Sequence, residues 1–287
     1  MKTETFHLEL ITPCFCAGAD QSRAEIRVPS IRGQLRWWFR ALGGSSSDEA
    51  TVFGSAAGDS GRASSLQLRT VVTASGQPWN PPRVDPNDPK SYVFYFASVS
   101  GKQKGQKGPG PRWTPQGNIP PGTRMELRVR WLRQLPTPVQ EKAETALRIW
   151  LCLGGIGTRV TRGLGAFECE ELRLNQETLE FLGATLNAAG FQFLVWKRNI
   201  PSWTKAISEA GRVLKDRLRS KLPAGKEGNR QSSLGSSKPR QTSALYLRPV
   251  RFPDESYGLV IYEAPANRVL GPASRKGAPA MSVLQGA

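Results

Sequence analysis

The sequence predicts an α+β fold in which helices cover one face of an antiparallel sheet. Three observations carry this expectation. Segments of two-residue hydrophobic alternation are distinct from segments of helical spacing, their order is strand, helix, strands, helix, strand, and a glycine-rich turn joins the second helix to the last strand.

Thr5 to Leu10 sets Phe6, Leu8 and Leu10 against Thr5, His7 and Glu9, the period of a half-buried strand that continues to Thr12 and Pro13. Pro29 and Ser30 open a helix with Ser30 as N-cap. Ile31, Leu35, Trp38 and Leu42 then recur at helical spacing until Gly43-Gly44 stops the run. Arg32, Arg36 and Arg40 stand four apart on that helix and share one stripe. Ser64 to Thr73 and Tyr92 to Val99 read as strands from composition, and Met125 to Leu132 resumes strict alternation. Thr137, Pro138 and Gln140 supply an N-cap, an N1 proline and a capping-box glutamine for a second helix. Its stripe, Val139, Ala143, Ala146, Leu147, Trp150 and Leu153, ends at Gly154-Gly155, and Leu164 to Leu172 closes the set as a strand. This succession is the split βαβ of a ferredoxin-like domain, expected over residues 1–175 with a basic Gly/Pro/Lys insertion around 101–112.

Residues 176–287 predict a second, smaller α+β lobe, a candidate degenerate copy of the first. Thr178 to Ala189 and Thr204 to Leu222 read as helical, Pro223 to Pro239 as a polar loop, and Ser243 to Val250 and Tyr257 to Glu263 as strands. The last residues, rich in Ala, Pro, Gly and Ser, read as a frayed tail. No repeat of fixed period appears.

Forty Lys and Arg against twenty-three Asp and Glu give a formal charge of +17, which points to a polyanionic partner, nucleic acid first. A membrane surface is disfavoured, because no apolar run of about 18 residues and no basic amphipathic helix is present. Met1 to Leu10 has neither the basic nor the apolar region of a signal peptide, so a cytoplasmic protein is expected. Cys14, Cys16, Cys152 and Cys169 are too scattered for a disulfide framework. With His7 they also lack the paired spacing of a zinc site, so they read as small core hydrophobes, with no metal or cofactor expected.

Gly154 to Gly165 places five glycines with Arg159 and Arg162 between a helix and a strand. In such a turn, the backbone at Gly155, Gly157 and Gly163 can approach a phosphate closely while the arginines supply charge-assisted bonds. No Lys-Ser/Thr ending of a P-loop is present, and a dinucleotide fold needs its glycines after a strand. A plain tight connection is the competing explanation. Trp37, off the apolar stripe and near Arg40, is a candidate base-stacking residue against the alternative that it packs in the core. Lys102, Lys104 and Lys107 mark an exposed basic finger. Arg230, Lys238 and Arg240, with Lys226, make a further basic loop that competes with a solvated linker. Catalysis has little support: His7, the sole histidine, lies mid-strand, and no carboxylate cluster suits a metal.

Three stretches carry a family resemblance. Pro29-Ser30-Ile31-Arg32-Gly33-Gln34-Leu35-Arg36-Trp37-Trp38-Phe39-Arg40 follows Thr12-Pro13 and Gly18-Ala19-Asp20, Phe53-Gly54-Ser55 leads to Gly61-Arg62-Ala63-Ser64, and the glycine-rich loop comes third. Ser243-Ala244-Leu245-Tyr246-Leu247-Arg248-Pro249 adds a late strand. The chain thereby resembles the RAMP superfamily of CRISPR proteins, and within it the first subunits of the Cmr complex, the type III-B RNA-guided effector. The resemblance implies ferredoxin-like (RAMP/RRM-like) domains and a place beside other Cmr RAMP subunits near the guide 3′ region. It also implies a role in capturing target RNA for antiviral defence as a ribonucleoprotein subunit, with cleavage left to other subunits. By carry-over, Ile31, Arg32, Gly33, Arg36, Trp37 and the loop arginines become RNA-facing positions. The alternative expectation is a metal-independent guide-processing endoribonuclease.

Overall fold

The computed structural model describes residues 2–20, 22–56, 61–81, 85, 88–98, 117–222, 233–237, 240–270 and 279–286. They form an α+β fold with two antiparallel sheets of three strands or more. In the first half, β1 (Thr3–Leu10), β2 (Leu66–Ala74), β3 (Arg124–Trp131) and β4 (Phe167–Cys169) pair in the order β2-β3-β1-β4. Helices α1 (Val28–Ala41) and α4 (Thr137–Leu153) lie on one face of this sheet, with α2 (Ser46–Phe53) and α3 (Pro89–Ser98) between them in sequence. The alternation seen in the sequence sets that face: Leu8, Leu10, Leu68, Met125, Leu127 and Val129 point inward and meet Leu35, Trp38 and Phe39 of α1 and Ala146 and Trp150 of α4. The intervening side chains point away from the helices.

The second half begins with α5 (Gln176–Ala188) and β5 (Gln192–Ile200). It continues through α6 (Trp203–Arg212), which runs into a π-helical stretch at Val213–Arg219. A two-residue ladder, β6 (Ser236–Ser237) with β7 (Arg240–Gln241), precedes β8 (Leu245–Arg251), β9 (Tyr257–Glu263), α7 (Ala266–Val269) and α8 (Ala280–Gln285). The strand order is β5-β9-β8. Both faces of β8 and β9 are covered, which is why neither shows the alternation of a half-buried strand; even Arg248 in the middle of β8 is buried. Tyr246, Val250, Val260 and Tyr262 join the core of the first half, where Tyr262 lies 5.4 Å from Trp38 between ring centres. Leu245, Leu247, Leu259 and Ile261 pack with α6, the π-helical stretch and α8.

Several expectations are corrected. Tyr92 to Val99 is not a strand; Asp88 accepts from the Lys90 amide at 2.9 Å and Pro89 begins a helix, α3, whose Val93 and Phe94 pack with Phe15, Leu164 and Ile207. Ser30 does not cap α1: it lies inside the first turn with its hydroxyl 3.4 Å from Cys16 Sγ, and Arg27 occupies the cap position without a side-chain bond. Pro136, not Thr137, precedes α4, and Gln140 donates to Glu144 instead of closing a capping box. The strand expected over Leu164 to Leu172 contracts to β4, because Leu164 belongs to the preceding turn and Glu170–Leu172 forms a 3-10 turn. The C-terminal region is not all frayed, since Ala280, Met281 and Leu284 are buried and Glu263 accepts from the amides of Ala280 and Met281 at 3.1 and 2.7 Å.

Candidate nucleic-acid interface

The glycine-rich turn is tied down from both sides. The Ile156 amide donates to Gly165 at 2.9 Å, the Thr158 amide to Phe15 at 2.8 Å, the Gly165 amide to Pro13 at 2.9 Å, and the Thr12 hydroxyl to the Gly163 carbonyl at 2.8 Å. Gly157 and Gly163 both have left-handed φ, +88° and +87°. A Cβ on Gly157 would collide with the Phe15 carbonyl, and one on Gly163 would sit 2.9 Å from the Leu247 carbonyl of β8. These glycines therefore serve close packing between the turn, the segment before it and the second sheet. Gly155 and Gly163 are buried, and the amides of Ile156, Thr158 and Gly165 already have partners, so the expected phosphate-facing row of N–H groups is not formed by them. Arg162 is buried too: Nη2 donates to the Leu234 carbonyl at 3.2 Å, and burial, with Arg219 nearby, pushes its pKa down to about 10.

What the turn does present is its tip. Thr158 and Arg159 are exposed, and Arg159 holds a left-handed φ of 61°, a conformation that costs a non-glycine residue about 1 kcal/mol or more. The Thr158–Phe15 bond joins the tip to the segment Cys14–Arg27, which folds back on itself through the Ala17–Ala24 bridge and the Glu25 amide bonded to Cys16 at 2.8 Å. The Cys16–Ser30 contact then joins that segment to the start of α1. Helix α1 begins with no capping side chain and no acid in its first turn, so the positive end of its dipole is uncompensated locally. Turn tip, folded segment and helix start thus follow one another over a surface that carries Arg23, Pro29, Gly33 and Arg159, with Arg27 paired to Glu25 at 3.3 Å and bonded to the Ala17 carbonyl. Gly33 is exposed on α1, and no atom of the described residues lies within 4 Å of a Cβ built there.

The arginine stripe of α1 is engaged within the fold. Arg32 donates to the carbonyls of Phe53 and Leu66, both at 3.3 Å, and its pKa is lowered by burial and then by Arg36. Arg36 donates to Glu49 at 2.6 Å and to the Gly54 carbonyl at 3.1 Å, and Arg40 to the same Glu49 oxygen at 2.7 Å. The Glu49 side chain is only 8% exposed, so the stripe anchors α2 and its following turn. Ile31 is fully buried. Trp37 is not a free stacking platform: it packs edge-on to Trp38 and tilted against Tyr246, each at 5.0 Å. Lys102, Lys104, Lys107, Arg230 and Lys238 lie outside the described residues, as does the side chain of Arg240, whose backbone pairs with Ser237.

The four cysteines are buried; burial raises the thiol pKa of Cys14 and Cys169 and pushes that of Cys152 up to about 12, so these three are not poised as thiolates. His7 stands on the sheet face away from α1 and α4, its Nδ1 2.5 Å from Glu171 Oε1. The Glu171 hydrogen bond raises its pKa. Burial pushes the Glu171 carboxyl up, and the His7 amide and ring more than offset this, leaving it below its usual range. Among the described residues no helix is long and apolar enough to cross a membrane.

A model of the RAMP superfamily matches residues 7–168, more than half of the chain. The chain belongs to the RAMP superfamily. Two curated RAMP proteins of Pyrococcus furiosus are similar to it. The CRISPR system Cmr subunit Cmr1-1 is 30% identical over 203 residues, covering 64% of this chain and 52% of that subunit, so the chain spans about half of that relative's length. The subunit Cmr1-2 is 28% identical over 201 residues, covering 58% of this chain and 95% of that one. Among solved structures, the crystal structure of apo Cmr1 from Pyrococcus furiosus superposes with a TM-score of 0.56 at 21% identity, over 92% of this chain and 88% of that one. A chain of the type III-B Cmr-beta complex bound to cognate target RNA superposes with a TM-score of 0.53 at 11% identity, over 90% and 94%. These superpositions establish a shared two-sheet α+β fold.

Within this RAMP chain the matched region contains both the glycine-rich turn and α1. Reasoning from sequence passed over Arg23 and Arg27. Their signal was position: both lie between Gly18-Ala19-Asp20 and Pro29, two stretches already singled out, in a segment too short and polar to pack a core of its own.

Proposed function

We propose that this RAMP chain is a Cmr1-like, non-catalytic RNA-binding subunit of a type III-B CRISPR effector. In this reading it holds guide and target RNA near the guide 3′ end, beside other Cmr RAMP subunits, and helps capture the target. The observation that carries the reading is the surface of turn tip, folded segment and uncapped helix start, on a chain of net charge +17. The similarity to Cmr1 subunits supports it, as does the likeness to a chain of the Cmr-beta assembly, which was solved bound to cognate target RNA. We read both sheets as ferredoxin-like: β2-β3-β1-β4 has the full order, and β5-β9-β8 has the same order short of its fourth strand. An exposed arginine beside open backbone suits phosphates, so the grip is on the RNA backbone and sequence preference is weak.

The test is RNA binding by the full chain carrying Arg23→Glu and Arg159→Glu. Affinity for a mixed-sequence single strand should fall, and the dependence of log affinity on log salt should flatten by about 0.7 per lost phosphate contact. Unchanged affinity and slope would remove this surface from the interface. Incubation with labelled repeat RNA in EDTA tests the non-catalytic half of the proposal: specific cleavage that His7→Ala abolishes would replace it with a ribonuclease.

A further inference from the structure

The face of the first sheet turned away from α1 and α4 carries Thr3, Thr5, His7 and Glu9 from β1, Gln67, Arg69, Val71 and Thr73 from β2, and the even-numbered residues Arg124 to Arg130 from β3. Its two halves differ in charge. Toward β4, Glu9 pairs with Arg124 and Arg251, Arg251 also pairs with Glu168, and Glu171 holds His7. Toward β2, Arg69 and Arg128 are directly opposite each other in the β2–β3 ladder, and Arg130, two residues along, is opposite Gln67. Directly paired side chains in an antiparallel ladder have Cβ atoms about 5 Å apart and diagonal ones about 7 Å, so the three arginines share one patch. All three are exposed. The carboxylate set against this patch is Glu126, bonded to Arg128 at 2.8 Å and opposite both His7 and Val71.

Like charges facing each other across a ladder weaken it, as Arg69 and Arg128 do here. A shared anion removes that penalty by placing negative charge between them. A protein partner would want a dry apolar centre, whereas this patch offers Thr3, Thr5 and Gln67 around the arginines and Val71 alone as an apolar side chain. No Phe, Tyr or Trp stands at the face positions named above, and the one imidazole, His7, is held by Glu171 on the acidic side, so the arginines have no aromatic platform for bases beside them. We infer that the Arg69, Arg128 and Arg130 patch is a second RNA contact, gripping the sugar-phosphate backbone without reading bases, and that the acidic side toward β4 confines the strand to the β2–β3 side. The identity of the polyanion rests on the function proposed above; the location of the patch does not.

The test uses the full chain with Arg69→Gln, Arg128→Gln and Arg130→Gln together. On a mixed-sequence single-stranded RNA of about 30 nucleotides, the triple variant should lose about tenfold in affinity at low salt, and its salt slope should flatten by about 2, three phosphates at about 0.7 each. The loss should be the same on scrambled sequences, and its logarithm should add to that of the Arg23→Glu, Arg159→Glu variant. A single Arg69→Lys change should retain binding, since charge and not fork geometry dominates a backbone contact. Loss in the triple variant alone would uphold this patch and sink the surface proposed above; loss in the Arg23, Arg159 variant alone would do the reverse. A triple variant that keeps its affinity and slope overturns the inference, and one that keeps RNA affinity while losing binding to poly-glutamate reassigns the patch to acidic protein.

Discussion

Two sets of arginines with equally regular spacing have opposite fates in this protein. Arg32, Arg36 and Arg40 recur every four residues on α1, and their guanidinium groups reach carbonyls and the sequestered carboxylate of Glu49. Arg128 and Arg130 recur every two residues on β3, with Arg69 across the ladder, and stand on an exposed face. Periodicity tells which side chains share a face. It does not tell whether another element will later cover that face, and α2 with its buried acid is the element that covers the first set.

The largest expected effect tests the covered set. Glu49→Ala removes the carboxylate shared by two arginines that remain a third to nearly a half exposed, and should destabilise the fold by about 2 kcal/mol, measured by chemical denaturation. A loss under about 1 kcal/mol would show the stripe to be a solvated face after all. A smaller effect of opposite sign tests the open set: Arg69→Gln should raise stability by about 0.3 kcal/mol by relieving the Arg69–Arg128 opposition, while RNA affinity falls. Loss of stability would mean that Arg69 is held by contacts within the fold. The smallest effect is a titration. His7 is exposed and its pKa is raised, so its pairing with Glu171 contributes most below about pH 6.5, the unfolded value, and the contribution fades as pH rises through the folded value. Following the His7 ring by NMR should give a midpoint above 6.5 that falls in Glu171→Gln; a midpoint at or below 6.5 would break the pair.

The legible parts of the fold were those whose burial follows a single period. β1 and β3 alternate because one face is covered and one is open, and α4 keeps its stripe for the same reason. β5 was passed over because its first five residues are all half-buried and its register with β9 is interrupted, so no alternation survives. Tyr92 to Val99 misled because β-prone residues outweighed Asp88-Pro89, a helix start that packing against Phe15 and Ile207 then completes. At the candidate site, Arg159 and the proximity of the turn to α1 were legible. The burial of Arg162 and the packing of Trp37 against Tyr246 were not, because both depend on where the second half docks, whereas the burial of Ile31 follows from its place on the apolar stripe of α1.

That docking is held at several points. Tyr262 donates to the Leu153 carbonyl at 3.0 Å at the end of α4, Arg251 of β8 bridges Glu9 and Glu168 of the first sheet, and Gly163 is pressed against β8. With both faces of β8 and β9 enclosed, swinging the halves apart would uncover Tyr246, Val250 and Val260 together, at about 1.5 kcal/mol or more for each side chain. Those contacts tie the two halves into one frame. The turn tip and the outer face of the first sheet are both carried by the first half, and the second sheet buttresses the turn from behind through Gly163.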